Sequence, residues 1–371
     1  DEGYELLLSK LGQPVSLRRR LRRSIGKYRF GFYIGSISLL TLLVTGRIYS
    51  YFGNAGVLTT ITGLIVSLIL ATDLAVRTVH GIVTASVPPR MLAKCELRHG
   101  IPEDHPAVVV IPALLPDKRR AHQLIDRLEV YYLANQDSNL FFALLGDFAD
   151  APQENLPEDG EILQAAQERI KELNEKYAED KPIFHFFYRS RLWNEAEGCY
   201  MAWERKRGKL EEFNRLLRGA TDTTYCVDEV PDYLRNVQYV ITLDADTGLP
   251  RDAARRLIGT QMHPLNRTVL DKAQRLVVRG YGLLQPRINI VATSAARSLF
   301  TRVFAGDGGV DPYTTAVSDV YQDLFGEGIY TGKGIYHVDT FNAVLGERLP
   351  DNAILSHDLL EGSYLRAGLT T

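Results

Sequence analysis

The 371-residue sequence has only three cysteines, Cys95, Cys199 and Cys226, and no two of them form a Cys-x-x-Cys pair. A disulfide framework and a structural zinc site of the usual spacing are thereby disfavoured, and reduced cytosolic thiols are the simpler reading. An excess of one charge is also missing: the net charge is −2 and the pI near 6.5, which removes the global electrostatic case for nucleic acid. The glycine-rich segments satisfy neither G-x-x-x-x-G-K-[ST] nor G-x-G-x-x-G, and there is no G-x-S-x-G elbow. A P-loop NTPase, a Rossmann dehydrogenase and an α/β-hydrolase are disfavoured accordingly. No internal repeat or low-complexity tract is present, and the length suits one large or two moderate domains.

What the sequence does have is a pair of long apolar runs. Phe30 to Gly46 carries no charge, and neither does Ala55 to Thr72 after a polar turn at Gly53-Asn54. Each approaches the ~20 residues that cross ~30 Å of hydrocarbon. Arg18, Arg19, Arg20, Arg22, Arg23, Lys27 and Arg29 precede the first run. Arg77, Arg90, Lys94 and Arg98 follow the second, and the turn between the runs has only Arg47. The positive-inside bias puts both ends in the cytoplasm. A buried helical pair in a soluble protein would show similar runs, but the basic flanks favour a membrane hairpin over it.

After Val87-Pro88-Pro89 the pattern becomes that of an α/β domain. Ala107 to Ile111 predicts a strand buried on both faces and ended by Pro112, and Leu140 to Leu145 a second one ending at Gly146-Asp147. Ile183 to Tyr188 and Val237 to Leu243 predict two more. Helical spacing runs over Asp117 to Asn135, Glu161 to Tyr177 and Met201 to Arg218, with a loop from Ala151. Alternating strands and helices imply a mostly parallel sheet, whose ligands bind beyond the carboxyl ends of its strands.

The chemistry concentrates in three places. The run YVITLDADTG puts Asp244 and Asp246 after a strand, where alternation projects both carboxylates together as a hard-oxygen site for Mg²⁺ or Mn²⁺. A bare Asp-x-Asp often marks nothing more than a turn. In WERKRGKLEEFNRLLRG, Arg205, Lys206, Arg207 and Lys209 crowd a helix start beside Gly208, which would let backbone approach a phosphate. A solvated face paired with Glu211 and Glu212 fits that run equally well. In ILSHDLLEG, Asp358 begins a helix, where it could act as a proton acceptor or serve as an N-cap, with His357 as a hydrogen-bonding neighbour. The segments FAGDGGVDPYTTAVSDVYQDLFG and GEGIYTGKGIYHVD suit a carbohydrate subsite, though turns alone have the same composition.

Several long blocks then occur in one order: LWNEAEGCYMAWERKRGKLEEFNRLLRGA, YVITLDADTGLPRDAARRLIG, MHPLNR, GYGLLQPRI, AVSDVYQDLFGEGIYTGKGIYHVDTF and ILSHDLLEGSYLRAGL. From about Arg191 onward the chain resembles the glycosyltransferase domain of bacterial cyclic β-1,2-glucan synthases. The resemblance implies an inverting, processive GT-A enzyme that uses UDP-glucose and a divalent cation, attaches the first glucose to its own tyrosine and releases the glucan as a ring. It implies Asp147 as a nucleotide-base or ribose contact, Lys209 on the diphosphate, and Asp244 and Asp246 as the nucleotide and metal motif. Gln285 and Arg287 would line the donor pocket, Asp358 would be the general base, and Tyr313 the primer with Tyr321 in reserve.

The expected organisation is a basic segment over 1–29, two membrane helices over 30–76, a juxtamembrane connection over 77–105 and a GT-A domain over 106–371. The catalytic domain would face the cytoplasm at a bacterial inner membrane. The family's Gln-x-x-Arg-Trp element, further membrane helices and phosphorylase-like domain are not in the sequence, so a piece of a longer protein is expected. A synthase of another linear β-glycan and an inert nucleotide- or glucan-binding membrane module are the rival readings.

Overall fold

A computed structural model describes residues 10, 28–52, 56–227, 229–288, 298, 319–354 and 356–370. The chain divides into two units, residues 1–90 with 289–326 and residues 91–288 with 327–371.

In the first unit, helices α1 (Arg29–Phe52) and α2 (Val57–Ser86) pack against each other. Both are long and apolar enough to cross a membrane. Their outer faces expose Leu39, Leu42, Leu43, Ile65, Leu68 and Ile69, while Thr41, Thr45, Ser67 and Ala71 are buried. Inverting the usual inside-outside pattern in this way suits a lipid solvent. Helix α2 does not stop near Thr72. At 1.5 Å per residue its 30 residues extend about 45 Å, more than a bilayer core requires. Its later part is polar, with an Arg77–Asp73 ion pair at 2.8 Å one turn apart.

The second unit is built on a seven-stranded sheet of order β11-β9-β10-β6-β1-β2-β3. In chain order its elements are β1 (Ala107–Leu115), α3 (Lys118–Ala134), β2 (Leu140–Phe148), α4 (Pro157–Tyr177), β3 (Phe184–Arg189), the hairpin β4 (Leu192–Asn194) and β5 (Cys199–Met201), and α5 (Arg205–Leu216). There follow α6 (Asp232–Arg235), β6 (Tyr239–Thr242), α7 (Ala253–Gln261), the small hairpin β7 (Val269–Asp271) and β8 (Leu276–Arg279), and β9 (Leu283–Pro286). After α8 (Val320–Phe325), which belongs to the first unit, come β10 (Gly334–His337), α9 (Val338–Leu345), α10 (Asp358–Leu365) and β11 (Ala367–Thr370). The sheet is parallel except that β10 runs against both β6 and β9.

Alternation along β1 and β2 explains the core. Val109, Ile111, Phe142 and Leu144 face one apolar layer with Leu124, Ile125 and Leu128 of α3. Val108, Val110, Phe141, Ala143 and Leu145 face the other, against Leu210 and Phe213 of α5. Asp117 caps α3 by accepting from Arg120 N at 2.7 Å.

Two elements run longer than their sequence signals. Helix α4 starts at Pro157, inside the stretch that reads as a loop, because Pro is suited to a first turn and Asp159 accepts from Leu156 N at 2.8 Å. Strand β1 passes through Pro112. Leu243 N donates to Val110 O, so the even-numbered residues of β1 turn their backbone toward β6, and β6 has ended before Pro112 needs a partner. A missing N–H at that edge is harmless.

This geometry gives a paired expectation. Pro112→Ala should change unfolding free energy by no more than about 1 kcal/mol. Val109→Pro, which faces β2, should lose at least the ~1–3 kcal/mol of an unsatisfied buried group. Denaturant titration of the two variants checks it.

Candidate functional site

The carboxyl ends of β2 and β6 lie side by side across β1, and the residues beyond them are charged. Asp147, next to last on β2, is buried. Arg189 at the end of β3 grips it with two parallel bonds, Nε to Oδ1 at 2.8 Å and Nη2 to Oδ2 at 2.9 Å. Lys209 Nζ lies 3.0 Å from the same Oδ2 and donates to Ala113 O at 2.7 Å. Arg189 also reaches Glu212 at 2.8 Å and the backbone carbonyls of Trp203 and Arg205 at 2.9 and 3.0 Å.

Two carboxylates, one guanidinium and one ammonium thus form a dry, hydrogen-bonded network. Burial pushes the Lys209 amine down to about 8, with Asp147 opposing that shift. Asp147 and Lys209, expected to touch the donor, are both engaged inside the protein.

The four cations of the basic run have different partners, because consecutive residues of a helix with 3.6 residues per turn project about 100° apart. Arg205 pairs with Asp150 at 2.9 Å, Arg207 with Glu204 at 2.9 Å, and Lys209 with Asp147. Lys206 alone of the four reaches the Asp-x-Asp segment, with Nζ 2.5 Å from Asp244 Oδ1. The run needs Gly208 for a reason other than phosphate: a Cβ there would meet Trp203 O at 2.2 Å. Glu204 and Arg205, both left-handed with φ of 48° and 47°, fold the chain tightly into α5 at that contact.

Asp244 and Asp246 are not on the strand. Strand β6 ends at Thr242, and the pair sits in a turn closed by Thr247 N to Asp244 O at 3.0 Å. Turn geometry, rather than strand alternation, therefore presents them. Asp244 is half-buried between Lys206 and Lys333, whose Nζ is 2.7 Å from Oδ2. Burial raises its carboxyl, but the bonds from Lys206 and Lys333 outweigh that and hold it below the usual range. Asp246 is exposed, and Thr247 Oγ1 approaches its Oδ1 at 3.4 Å.

The antiparallel course of β10 brings Lys333 here, since Gly334 pairs with Thr242 and the residues just before it sit at the carboxyl end of β6. Gln285 on β9 fixes that loop by accepting from Thr331 N at 2.6 Å. Gly332, left-handed at φ +80°, accepts from Lys206 through its carbonyl at 2.8 Å. A Cβ on Gly332 would lie 2.7 Å from Lys206 Nζ and 2.7 Å from Asp358 Oδ1, so both groups border the space that the missing side chain leaves.

Asp358 is the first residue of α10, and His357 takes the cap position, so Asp358 is not the N-cap. The helix dipole favours its charge. His357 Nδ1 is 2.8 Å from the buried Glu361 and 3.5 Å from Asp358. Burial lowers the His357 imidazole, but Glu361 and then Asp358 raise it more, and the net direction is up.

Arg287 follows β9, its N–H donating to Thr370 O at 3.2 Å. Tyr321 lies in the first unit, on α8, with its ring 6.2 Å from Tyr33 and 6.4 Å from His80. Tyr313 lies outside the described residues.

Sequence reasoning named Asp244, Asp246 and Asp358 and missed Lys333, Gly332 and Arg189. The first two stand in the segment TGKG, which read as a sugar subsite. A lysine flanked by glycines before a β-run was the available signal.

Against known proteins, the chain is 43% identical, in an alignment of 371 positions that covers 98% of its length, to cyclic beta-(1,2)-glucan synthase NdvB of Rhizobium meliloti (strain 1021). It spans 13% of that protein's length. The chain is similar to one segment of that synthase, in agreement with the resemblance of its sequence blocks. No family model matches it. Among solved structures, the galactosyltransferase LgtC in complex with donor and acceptor sugar analogues aligns with 71% of this chain and 72% of its own, at 9% identity and a TM-score of 0.26. At that score the likeness carries no weight of its own.

Two outcomes follow from the site. Arg189→Met should destabilise the fold by about 3–5 kcal/mol, because Asp147 and Glu212 would keep buried charge without their shared partner; chemical denaturation measures it. The raised His357 contributes stability that is complete below about pH 6.5, its unfolded value, and is lost as pH rises through its higher folded value. Unfolding free energies at about pH 6 and pH 9 should therefore differ less in His357→Gln than in the parent.

Proposed function

We propose that this chain is the donor-binding and transfer segment of a membrane-bound inverting glucosyltransferase. It polymerises glucose from UDP-glucose into β-1,2-glucan on a protein tyrosine, as part of a cyclic β-1,2-glucan synthase. The observation that carries this reading is the clasp of Asp244 between Lys206 and Lys333, with Lys206 and Asp358 both bordering Gly332, in a chain 43% identical to a cyclic glucan synthase.

Each lysine has three donors, and the described contacts use two on Lys206 and one on Lys333. A diphosphate arriving beside Asp244 meets cations already held in place and pays little to organise them. Asp246 suits Mg²⁺ or Mn²⁺: it is exposed, its carboxylate has one weak contact among the described residues, and such ions take one or two carboxylates plus water and phosphate oxygens. Asp244 completes the pair when its lysines turn to the diphosphate. A bound cation would neutralise charge developing on the leaving UDP.

Asp358 takes the proton of the acceptor 2-hydroxyl as that oxygen attacks the anomeric carbon. The bond to the UDP oxygen breaks on the opposite side, so an α-linked donor gives a β product. Gln285 holds the 331–333 loop, Arg287 lines the donor pocket, and Asp147 and Lys209 support the donor site from beneath. Tyr313 supplies the first acceptor oxygen, with Tyr321 in reserve. In the longer protein the helical hairpin is one of several anchors in the bacterial inner membrane, the catalytic unit faces the cytoplasm, and a phosphorylase-like domain acts on the glucan.

In the full-length enzyme, Asp246→Asn and Asp358→Asn should each lower incorporation of labelled glucose by at least about 100-fold. Full activity in either variant would sink its assigned role. Linkage analysis of the wild-type product separates β-1,2-glucan from another linear β-glycan.

A further inference from the structure

Helix α3 carries three polar side chains spaced one turn apart: Arg127, Tyr131 and Asn135, the last at its C-cap. All three engage the segment that bears the Asp-x-Asp pair. Arg127 donates through Nη1 to Ala245 O, and the Tyr131 hydroxyl donates to Thr247 O. Asn135 donates to Pro250 O at 3.1 Å and accepts from Ala254 N at 3.0 Å, where α7 begins. Residues four apart lie on one helix face, so a single face of α3 meets the chain from 245 to 254.

The two carbonyls engaged first belong to the residues on either side of Asp246. Its carboxylate is exposed and has one weak contact among the described residues, so side-chain bonds there do little to fix it. Its backbone is fixed on both sides instead. Tyr131 is only 3% exposed, and burial raises its hydroxyl, with Arg127 opposing and Asp246 adding to the rise. The phenol therefore stays protonated as a donor, close enough to feel the charge on Asp246.

We infer that Tyr131 and Arg127 are positioning residues that set the Asp246 carboxylate for a divalent cation shared with a diphosphate; this rests on the donor-site reading above. A ligand on an exposed turn binds well only when its supports remove the freedom that binding would otherwise have to remove. Asn135 anchors the far end of the segment and tethers α7. Lys206 and Lys333 hold Asp244 independently of this ladder, so the two carboxylates have separate supports. Weakening the ladder should disturb the cation while leaving the lysine contacts to an anion intact.

The test uses the full-length enzyme with Mn²⁺ as the probe. Electron paramagnetic resonance of free Mn²⁺ gives its affinity in saturating UDP, and UDP affinity is measured separately in chelator. Tyr131→Phe keeps the ring and loses one hydrogen bond, so Mn²⁺ affinity should fall by about 3- to 10-fold. UDP affinity in chelator should stay within about 2-fold, and Arg127→Lys should lose less Mn²⁺ affinity than Arg127→Met.

A support that merely stabilised the fold would weaken metal-free UDP binding as much as Mn²⁺ binding, and that result overturns the inference. Unchanged Mn²⁺ affinity in both Tyr131→Phe and Arg127→Met overturns it as well, while leaving the donor site standing. A wild-type enzyme that binds no Mn²⁺ in saturating UDP overturns the metal reading of Asp246 and this inference together. Should Tyr131→Phe fail to fold, the half-exposed Arg127 variants decide the matter.

Discussion

One guanidinium organises the charged end of the sheet. Arg189 is fully buried, yet it bonds to Asp147, Glu212 and two backbone carbonyls at the start of α5. Burying that charge is costly unless every donor finds an acceptor, and here the acceptors come from β2, α5 and the turn before α5. The planar fork of arginine suits the task; a lysine could not grip a carboxylate with two bonds and still serve two carbonyls. The carbonyls it holds belong to Trp203 and Arg205, on either side of the left-handed Glu204. Lys206 comes next in the chain, so the tip of a cation that faces Asp244 is set by a buried ion that never faces solvent.

Above that floor, charge is arranged in graded exposure. Arg189, Asp147 and Lys209 are dry, Asp244 is half-buried between two lysines, and Asp246 is open. A carboxylate among cations stays ionised and ordered, whereas an open one keeps room for water or a metal. Asp358 enters from a separate helix and borders, with Lys206, the space left at Gly332.

Much of this was legible in the residues, for reasons that can be stated. AVVVI and LFFALL read as buried strands because burial on both faces leaves no polar position to interrupt them. The helical spacing from Asp117 to Asn135 read as α3, and the structure adds the reason for its start, an Asp117 side chain that satisfies an amide there. The ends were less legible. Pro112 looked like a stop, and only the early end of the neighbouring β6 makes it harmless. Pro157 looked like loop, although proline suits a first helical turn.

Within the site, Asp244 and Asp246 announced themselves by their place after a strand and Asp358 by its place at a helix start, but their partners did not. Which cation of RKRGK meets Asp244 depends on the rotation of α5, and that rotation depends on Arg189. Lys333 arrives by the reversed direction of β10, which no local pattern in TGKG encodes.

That reversed strand has a bearing on how the protein can vary. In a parallel sheet, segments between strands can lengthen on the far side without disturbing the ligand end. Because β10 runs the other way, the residues before Gly334 are at the ligand end, and those after His337 leave from the opposite end into α9. A single added or deleted residue ahead of Gly334 would shift Gly332 and Lys333 out of phase with Lys206 and Asp358, whereas one after His337 would move only the packing of α9. Tolerance of length change is therefore lopsided around this strand, and relatives with altered chemistry would be expected to differ in the segment that leads into it.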